Sequence, residues 1–245
     1  MWTQGKVVKR IDWNNELFSL FIDADIGDFT AGQFVKLGLD LDEKRVGRAY
    51  SLVNAPESDL LEVLLISVED GLLSPALHQL QPGDTLHVSA KASGFMTLDW
   101  VPEARDLWML ATGTAVGPFI SMLRTEAPWQ RFEHIVLVYG VRFARDLAYN
   151  EELQALSTEK DSRFSYLTSI TRESLQDTLN YRIPQALEKG QLEQCAGIAI
   201  TPEHSHVMLC GNPAMIADTQ TLLMEKGLKK NLKRNPGHIS MERYW

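Results

Sequence analysis

Arg48, Ala49, Tyr50 and Ser51 stand together at the head of an apolar run. A cation, an aromatic ring and a hydroxyl on one extended segment supply what a flavin needs: charge for its pyrophosphate, a surface for stacking and a hydrogen bond at its reactive edge. Arg-x-Tyr-Ser fits many strands by chance, and it gains weight from compatible motifs downstream. Thr112-Gly113-Thr114-Ala115-Val116-Gly117-Pro118 follows a strand-like stretch over 107–111. A glycine turn from strand to helix leaves backbone N–H groups free to meet phosphate at the helix start. Its spacing is Gly-x-x-x-Gly-Pro, not Gly-x-Gly-x-x-Gly, so a bare strand–helix turn explains it equally well. Cys210-Gly211-Asn212-Pro213-Ala214-Met215 closes a second strand-like stretch and opens a second helix. Ligands of open α/β sheets collect outside the carboxyl ends of the strands, which puts Thr112 and Cys210 on one edge. A lone cysteine is more often a small buried hydrophobe than a functional thiol, but the Gly-Asn-Pro turn behind Cys210 favours function.

Arg142, Arg145, Arg172 and Arg182 fall in or just after the stretches 135–139 and 164–170. Val141-Arg142 and Thr171-Arg172 should project from the same ligand-bearing edge. Guanidinium groups grip phosphate through paired hydrogen bonds. A site for NAD offers a carboxylate to the adenosine ribose, whereas a site for NADP places arginine near the extra phosphate. No acid stands at the tip of the second strand, which favours NADP. The plain alternative is surface ion pairs worth about 0–1 kcal/mol each. Gly71-Leu72-Leu73-Ser74 precedes a short helical signal, Ser74-Pro75 with Ala76, Leu77 and Leu80, where serine caps and proline suits the first turn. That helix is either a second phosphate cradle or a capped helix without a ligand. The chain ends Glu242-Arg243-Tyr244-Trp245, and two terminal aromatics imply docking into the core or stacking on a flavin or adenine ring. Lys229, Lys230, Lys233 and Arg234 form a basic cluster: a solvated helix end, or a docking patch for a small acidic partner.

The elements that must position these residues change character along the chain. Apolar or alternating runs at 7–11, 17–22, 34–39, 49–53, 61–68 and 85–88 predict six strands of a small antiparallel barrel. From Asp106, strand-like stretches at 107–111, 135–139, 164–170 and 207–210 alternate with amphipathic stretches at 119–124, 147–156 and 183–189, which predicts a parallel sheet with helices on both faces. The break falls at 99–103, giving a barrel domain over 1–99 and an α/β domain over 103–245. A chain of 245 residues can bury two such cores. Its formal net charge of −8 argues against nucleic acid and anionic membranes. Two cysteines, Cys195 and Cys210, are too few for a four-thiolate iron–sulfur cluster. With no signal-like start and no long apolar run, the cytoplasm is the expected location.

In this order the motifs resemble the ferredoxin–NADP reductase family, its bacterial ferredoxin/flavodoxin–NADP reductase branch most closely, over essentially the whole chain. The resemblance implies an antiparallel FAD barrel followed by a five-stranded parallel NADP domain. It implies that Arg48 pairs with FAD phosphate, that Tyr50 stacks on the isoalloxazine beside Ala49, and that Ser51 hydrogen-bonds near the reactive nitrogen. Leu64, Leu65, Ile66, Ser67, Leu72, Leu73, Ser74 and Thr114 would add FAD contacts, with Tyr244 and Trp245 covering the flavin. Val141, Arg142, Thr171, Arg172 and Arg182 would hold the NADP 2′-phosphate end, and Asn212, Pro213 and Met215 further NADP contacts. Cys210 would border the nicotinamide.

The reaction so implied is hydride transfer between NADP(H) and FAD, coupled to single-electron exchange with ferredoxin or flavodoxin. Hydride transfer needs no strong acid–base catalyst, so Ser51, Cys210 and Glu242 shape the site. The alternatives are an NAD(P)H-dependent reductase of free flavin, the reductase component of an oxygenase, and a binding module that has lost redox function. Monomer is the default state, with no nucleic acid or membrane as partner.

Overall fold

Short runs rich in Val, Leu, Ile and Phe, each ended by turn-forming residues, fold as six antiparallel strands: β1 (Trp2–Asp12), β2 (Leu17–Asp23), β3 (Phe34–Leu41), β4 (Lys44–Ser51), β5 (Leu61–Ile66) and β6 (Thr85–Ser89). The computed structural model describes residues 1–244. These strands belong to a compact unit made of Met1–Thr97 together with Gly117–Thr125. Their order is β4-β3-β6-β1-β2-β5. Immediately after β4 the chain crosses to the opposite edge, where Leu52 bridges Val63 and Val53 N donates to Glu62 O at 2.8 Å. The sheet thereby closes on itself, removing the exposed edges that open sheets must protect. Phe18, Leu20, Ile22, Val35, Leu37 and Val88 fill the interior.

Two expectations need correcting here. The fourth strand begins at Lys44, not at residue 49, and ends at Ser51. Asp42 and Glu43 both take left-handed backbone, φ 47° and 62°, and make a two-residue hairpin turn without the Asn-Gly signal that usually marks one. The helix α1 (Ser74–Gln79) begins at Ser74, but Leu73 holds the capping position. The Ser74 hydroxyl instead accepts from Val68 N at 3.1 Å, latching the loop before the helix.

The second unit comprises Leu98–Val116 and the chain from Glu126 onward. Its parallel strands are β7 (Asp106–Thr112), β8 (His134–Val141), β9 (Phe164–Ile170), β10 (Ser205–Gly211) and β11 (Ile239–Arg243), in the order β11-β10-β7-β8-β9. The middle strands read as continuous apolar runs because both faces are covered. The helices of the α/β segment are α2 (Gly117–Leu123), which packs with the barrel unit, then α3 (Ala127–Arg131), α4 (Asn150–Lys160), α5 (Ile183–Glu188), α6 (Gln191–Ala196) and α7 (Pro213–Glu225). Ile183, Leu187, Leu192, Ile216 and Leu223 of α5, α6 and α7 pack with Trp108, Val136 and Leu209 of the sheet. No helix among the described residues is long and apolar enough to cross a membrane.

At the amino ends of these strands a charged group is fully buried. Asp106 has no exposed side-chain surface and is held by Arg105 Nη2 at 2.7 Å and His134 Nδ1 at 2.9 Å. Burial raises its pKa, but the hydrogen bonds from Arg105 and His134 together prevail and leave it below the usual carboxylate value. A carboxyl depressed on folding contributes stability above its unfolded pKa of about 4 and loses that contribution as pH falls through the folded value. Asp106→Asn is therefore expected to destabilise the protein by about 1–2 kcal/mol at pH 7, the loss of charge-assisted hydrogen bonds to two partly exposed partners, with the gap to the parent narrowing towards pH 3. Urea melts at the two pH values check both parts, and equal gaps would contradict the assignment.

Candidate active site

In the barrel unit, β4 carries the flavin candidates opposite Leu37, Lys36, Val35 and Phe34 of β3. The two-residue period puts Arg48 and Tyr50 on one face of the strand and Ala49 and Ser51 on the other. Arg48 is exposed; its Nη1 donates only to its neighbour's carbonyl, Gly47 O, at 2.9 Å, and it has no carboxylate partner among the described residues. Tyr50 is half-buried against the barrel core. Burial pushes its phenol up to about 12, against a smaller downward pull from Arg48, so the ring is neutral at any physiological pH. Ser51 is buried.

What fixes this segment is a network that no local motif announces. Gly117 lies so close to it that an added Cβ would come within 3.2 Å of Val53 Cγ2 and 3.9 Å of the Ser51 carbonyl. From the same helix, Ser121 Oγ donates to Asn54 O at 2.7 Å. Asn54 Oδ1 accepts from Glu62 N at 2.8 Å. Arg124 Nη1 reaches both Val53 O at 3.1 Å and the carboxylate of Glu62 at 2.5 Å, and Glu62 is only 4% exposed. The chain leaving Ser51 is thus clamped between β5 and α2.

The other flavin candidates divide by exposure. Leu64, Leu65 and Leu73 are buried, so only their backbone is available to a ligand. Ile66 and Leu72 are exposed, and Ser67 is half-buried. Val68, which the sequence reading passed over, is exposed beside them. An unpaired surface cation, a half-buried neutral ring and this exposed apolar group fit a pyrophosphate-linked aromatic cofactor.

In the α/β unit the strand order reverses between β7 and β10, and an open sheet binds its ligands at that switch point. Thr112 and Gly211 end those two strands. Thr112 Oγ1 accepts from Asn212 N at 2.9 Å. Gly211 has φ +136°, and a Cβ there would lie 2.1 Å from Thr112 Oγ1, so only glycine allows the approach. Asn212 Oδ1 accepts from Ala214 N and Met215 N, capping α7, and Pro213 opens that helix. Cys210 is fully buried and pairs in register with Glu242 of β11. Burial, reinforced by the Glu242 charge, pushes the thiol well above its ordinary value. Burial likewise raises Glu242. Cys210 is therefore a neutral thiol, unsuited to nucleophilic chemistry. Tyr244 N donates to Gly211 O at 3.1 Å, fastening the chain beyond β11 to the same strand end. Trp245 lies outside the described residues. Thr114 is buried in the 3₁₀ turn Gly113–Val116.

At the neighbouring carboxyl ends, Val141 is buried and Thr171 exposed. Arg142, Arg172 and Arg182 are all exposed and form no ion pair with a carboxylate among the described residues, which removes the surface ion-pair explanation for these three. Arg145 does approach Asp146, at 4.0 Å. Lys229, Lys230, Lys233 and Arg234 do not sit on a helix end. Helix α7 stops at Glu225, and the cluster follows on a tight reversal in which Leu232 and Asn235 exchange backbone hydrogen bonds. Lys233 Nζ lies 5.3 Å from the centre of the Trp100 ring.

Residues 6–95 match the oxidoreductase FAD-binding domain and residues 109–221 the oxidoreductase NAD-binding domain. Fold and site together define an oxidoreductase built from a flavin-binding and a pyridine-nucleotide-binding part. The chain is 47% identical over 245 residues to the flavodoxin/ferredoxin–NADP reductase of Escherichia coli, covering 100% of this chain and 99% of that one. It is 32% identical over 248 residues to the ferredoxin–NADP reductase of Pseudomonas aeruginosa, covering 97% and 95%. A crystal structure of a ferredoxin NADP+ reductase from Neisseria gonorrhoeae with bound FAD and NADP matches it with a TM-score of 0.95 at 33% identity, covering 100% and 99%. The chain belongs to the flavodoxin/ferredoxin–NADP reductase family.

Gly211→Ala forces a side chain into Thr112 at a backbone conformation that costs about 1–3 kcal/mol for other residues. It is expected to lower the melting temperature by several degrees and to weaken NADP+ binding at least tenfold. Calorimetric melting and equilibrium binding test this, and wild-type binding would remove the Thr112–Asn212 contact from the site.

Proposed function

We propose that the chain moves electrons between NADP(H) and a one-electron carrier protein, ferredoxin or flavodoxin, using bound FAD. The observation that carries this reading is the division of chemistry between the two units. A free cation and a half-buried ring stand on a barrel strand, and unpaired arginines stand at the carboxyl ends of a parallel sheet. Residues 1–99 carry the FAD domain, which takes Gly117–Thr125 as well, and the rest of 103–245 carries the NADP domain. When bound, FAD accepts a hydride equivalent and releases electrons singly.

The protein's own residues bind and orient. Arg48 takes the flavin pyrophosphate, Tyr50 offers a neutral ring for stacking, and Ser51 directs its hydroxyl to the flavin's reactive edge. The backbone of 64–67 and 72–74 completes the flavin site with Thr114, and Tyr244 contributes a terminal aromatic. Arg142, Arg172 and Arg182 grip the 2′-phosphate of NADP, beside Val141 and Thr171. Asn212, Pro213 and Met215 present the start of α7 to the nucleotide. Cys210 and Glu242, paired in register and both raised by burial, border the nicotinamide and shape its pocket. The basic reversal carrying Lys229, Lys230, Lys233 and Arg234 receives the acidic carrier, which would speed encounter in a salt-dependent way. The protein acts in the cytoplasm as a monomer.

Ser51→Ala is expected to leave FAD bound while slowing flavin reduction by NADPH about tenfold or more, the loss of one well-placed hydrogen bond. Anaerobic stopped-flow absorbance reads the rate and the visible spectrum reads the flavin content. An unchanged rate would exclude Ser51 from the reaction. Titrating the purified protein with NADPH and, separately, NADH should bleach the flavin far more readily with NADPH. A preference for NADH would leave the flavin assignment standing and overturn the arginine assignment.

A further inference from the structure

Between the tips of β8 and β9 the backbone ladder continues past the ends of both strands. Thr171 N donates to Val141 O at 3.2 Å, and Arg172 N donates to Arg142 O at 2.9 Å. The turn that follows is held from two sides by carboxylates: Phe143 N donates to Asp146 Oδ2 at 3.2 Å, and Ala144 N donates to Glu173 Oε2 at 2.6 Å. Both acids are thereby engaged with backbone N–H groups in the turn, and Asp146 also lies 4.0 Å from Arg145. The residue so fixed is Phe143, half-buried. The guanidinium of Arg145 lies 4.8 Å from the centre of its ring and that of Arg172 lies 6.0 Å from the same centre.

We infer that Phe143 is a specificity-determining positioning residue, a shelf whose ring holds the guanidinium groups of Arg172 and Arg145 ready for the 2′-phosphate of NADP. The inference rests on the assignment of the arginine tips to that phosphate and adds two residues to it, Phe143 and Arg145. Two cations brought to one ring repel each other, and the ring's negative face offsets part of that repulsion. A phosphate dianion that meets both guanidinium groups gains from each, and the ring contacts reduce the side-chain freedom lost on binding. A nucleotide lacking the 2′-phosphate gains nothing from the shelf. The effect of Phe143 is therefore confined to discrimination between the two nucleotides.

Binding of adenosine 2′,5′-bisphosphate and of 5′-AMP, measured calorimetrically on the FAD-loaded protein, separates these contributions. Phe143→Leu keeps apolar bulk but removes the ring face. It is expected to weaken the bisphosphate about five- to thirty-fold, the worth of two partly exposed cation–ring contacts, while 5′-AMP changes less than about twofold. Phe143→Tyr restores the ring and should bind both nucleotides like the parent. In steady state, Phe143→Leu should raise KM for NADPH by the same factor, with KM for NADH and both kcat values held. A Phe143→Leu variant that keeps the parental discrimination while Arg172→Ala loses it would overturn the shelf and leave the arginine assignment standing. If the parent binds the two nucleotides equally and Arg172→Ala changes nothing, the arginine assignment fails and the shelf falls with it. Equal losses for both nucleotides would assign Phe143 to folding alone and overturn its role in specificity.

Discussion

The α/β unit depends on a single close approach, that of Thr112 to Gly211 across adjacent parallel strands. A parallel sheet whose order reverses at β7 and β10 has a natural crevice there, but the crevice is useful only if both strand ends are held still. The hydroxyl of Thr112 does this by accepting the Asn212 N–H at 2.9 Å, at a position where any side chain on residue 211 would collide with it. The helix that follows is then launched by Asn212, whose side chain satisfies two of its first free N–H groups. Strand end, turn and helix start are one mechanical element.

Burial sets the chemical tone of each half in the same direction. On the sheet, Cys210 and Glu242 are both pushed towards their neutral forms. On the barrel, Tyr50 is kept as a phenol. In each case the shift has the same physical origin, the cost of placing a charge where water cannot reach it. Exposed cations stand instead at the surface, at Arg48, Arg142, Arg172 and Arg182. Two deeply placed carboxylates, Asp106 and Glu62, each have an arginine partner at 2.7 Å or less. They act on the scaffold, one at the amino ends of the sheet and one behind the Ser51 segment.

Much of this was legible in the sequence because it rests on local pattern. Apolar runs marked the barrel strands and four of the five parallel strands, and turn glycines marked the ends where ligands collect. Elements set by long-range partners were not legible. Nothing near Glu62 predicts Arg124, and nothing near Thr112 predicts Asn212, because each pair meets only in the folded chain. The β3–β4 turn was missed because Asp42-Glu43 adopts left-handed backbone without glycine or asparagine. Ser74 was read as a cap from a rule that is sound on average, but its hydroxyl is engaged with Val68. The fifth parallel strand, β11, carries too few apolar residues to announce itself and followed only from family resemblance. Phe143 carries no signal in the sequence, because the loops on either side of it are joined only in the folded chain.

The barrel unit is discontinuous: it takes Gly117–Thr125 from beyond the first strand of the other unit. Within that borrowed segment Ser121 and Arg124 bind Asn54, Val53 and Glu62. Genes of such proteins therefore cannot be recombined freely at the point where the fold changes character. A hybrid joined near residue 99 would combine one parent's Glu62 with the other parent's Arg124 and helix. The segment 117–125 thus belongs physically to the barrel, although it is encoded after the first strand of its neighbour.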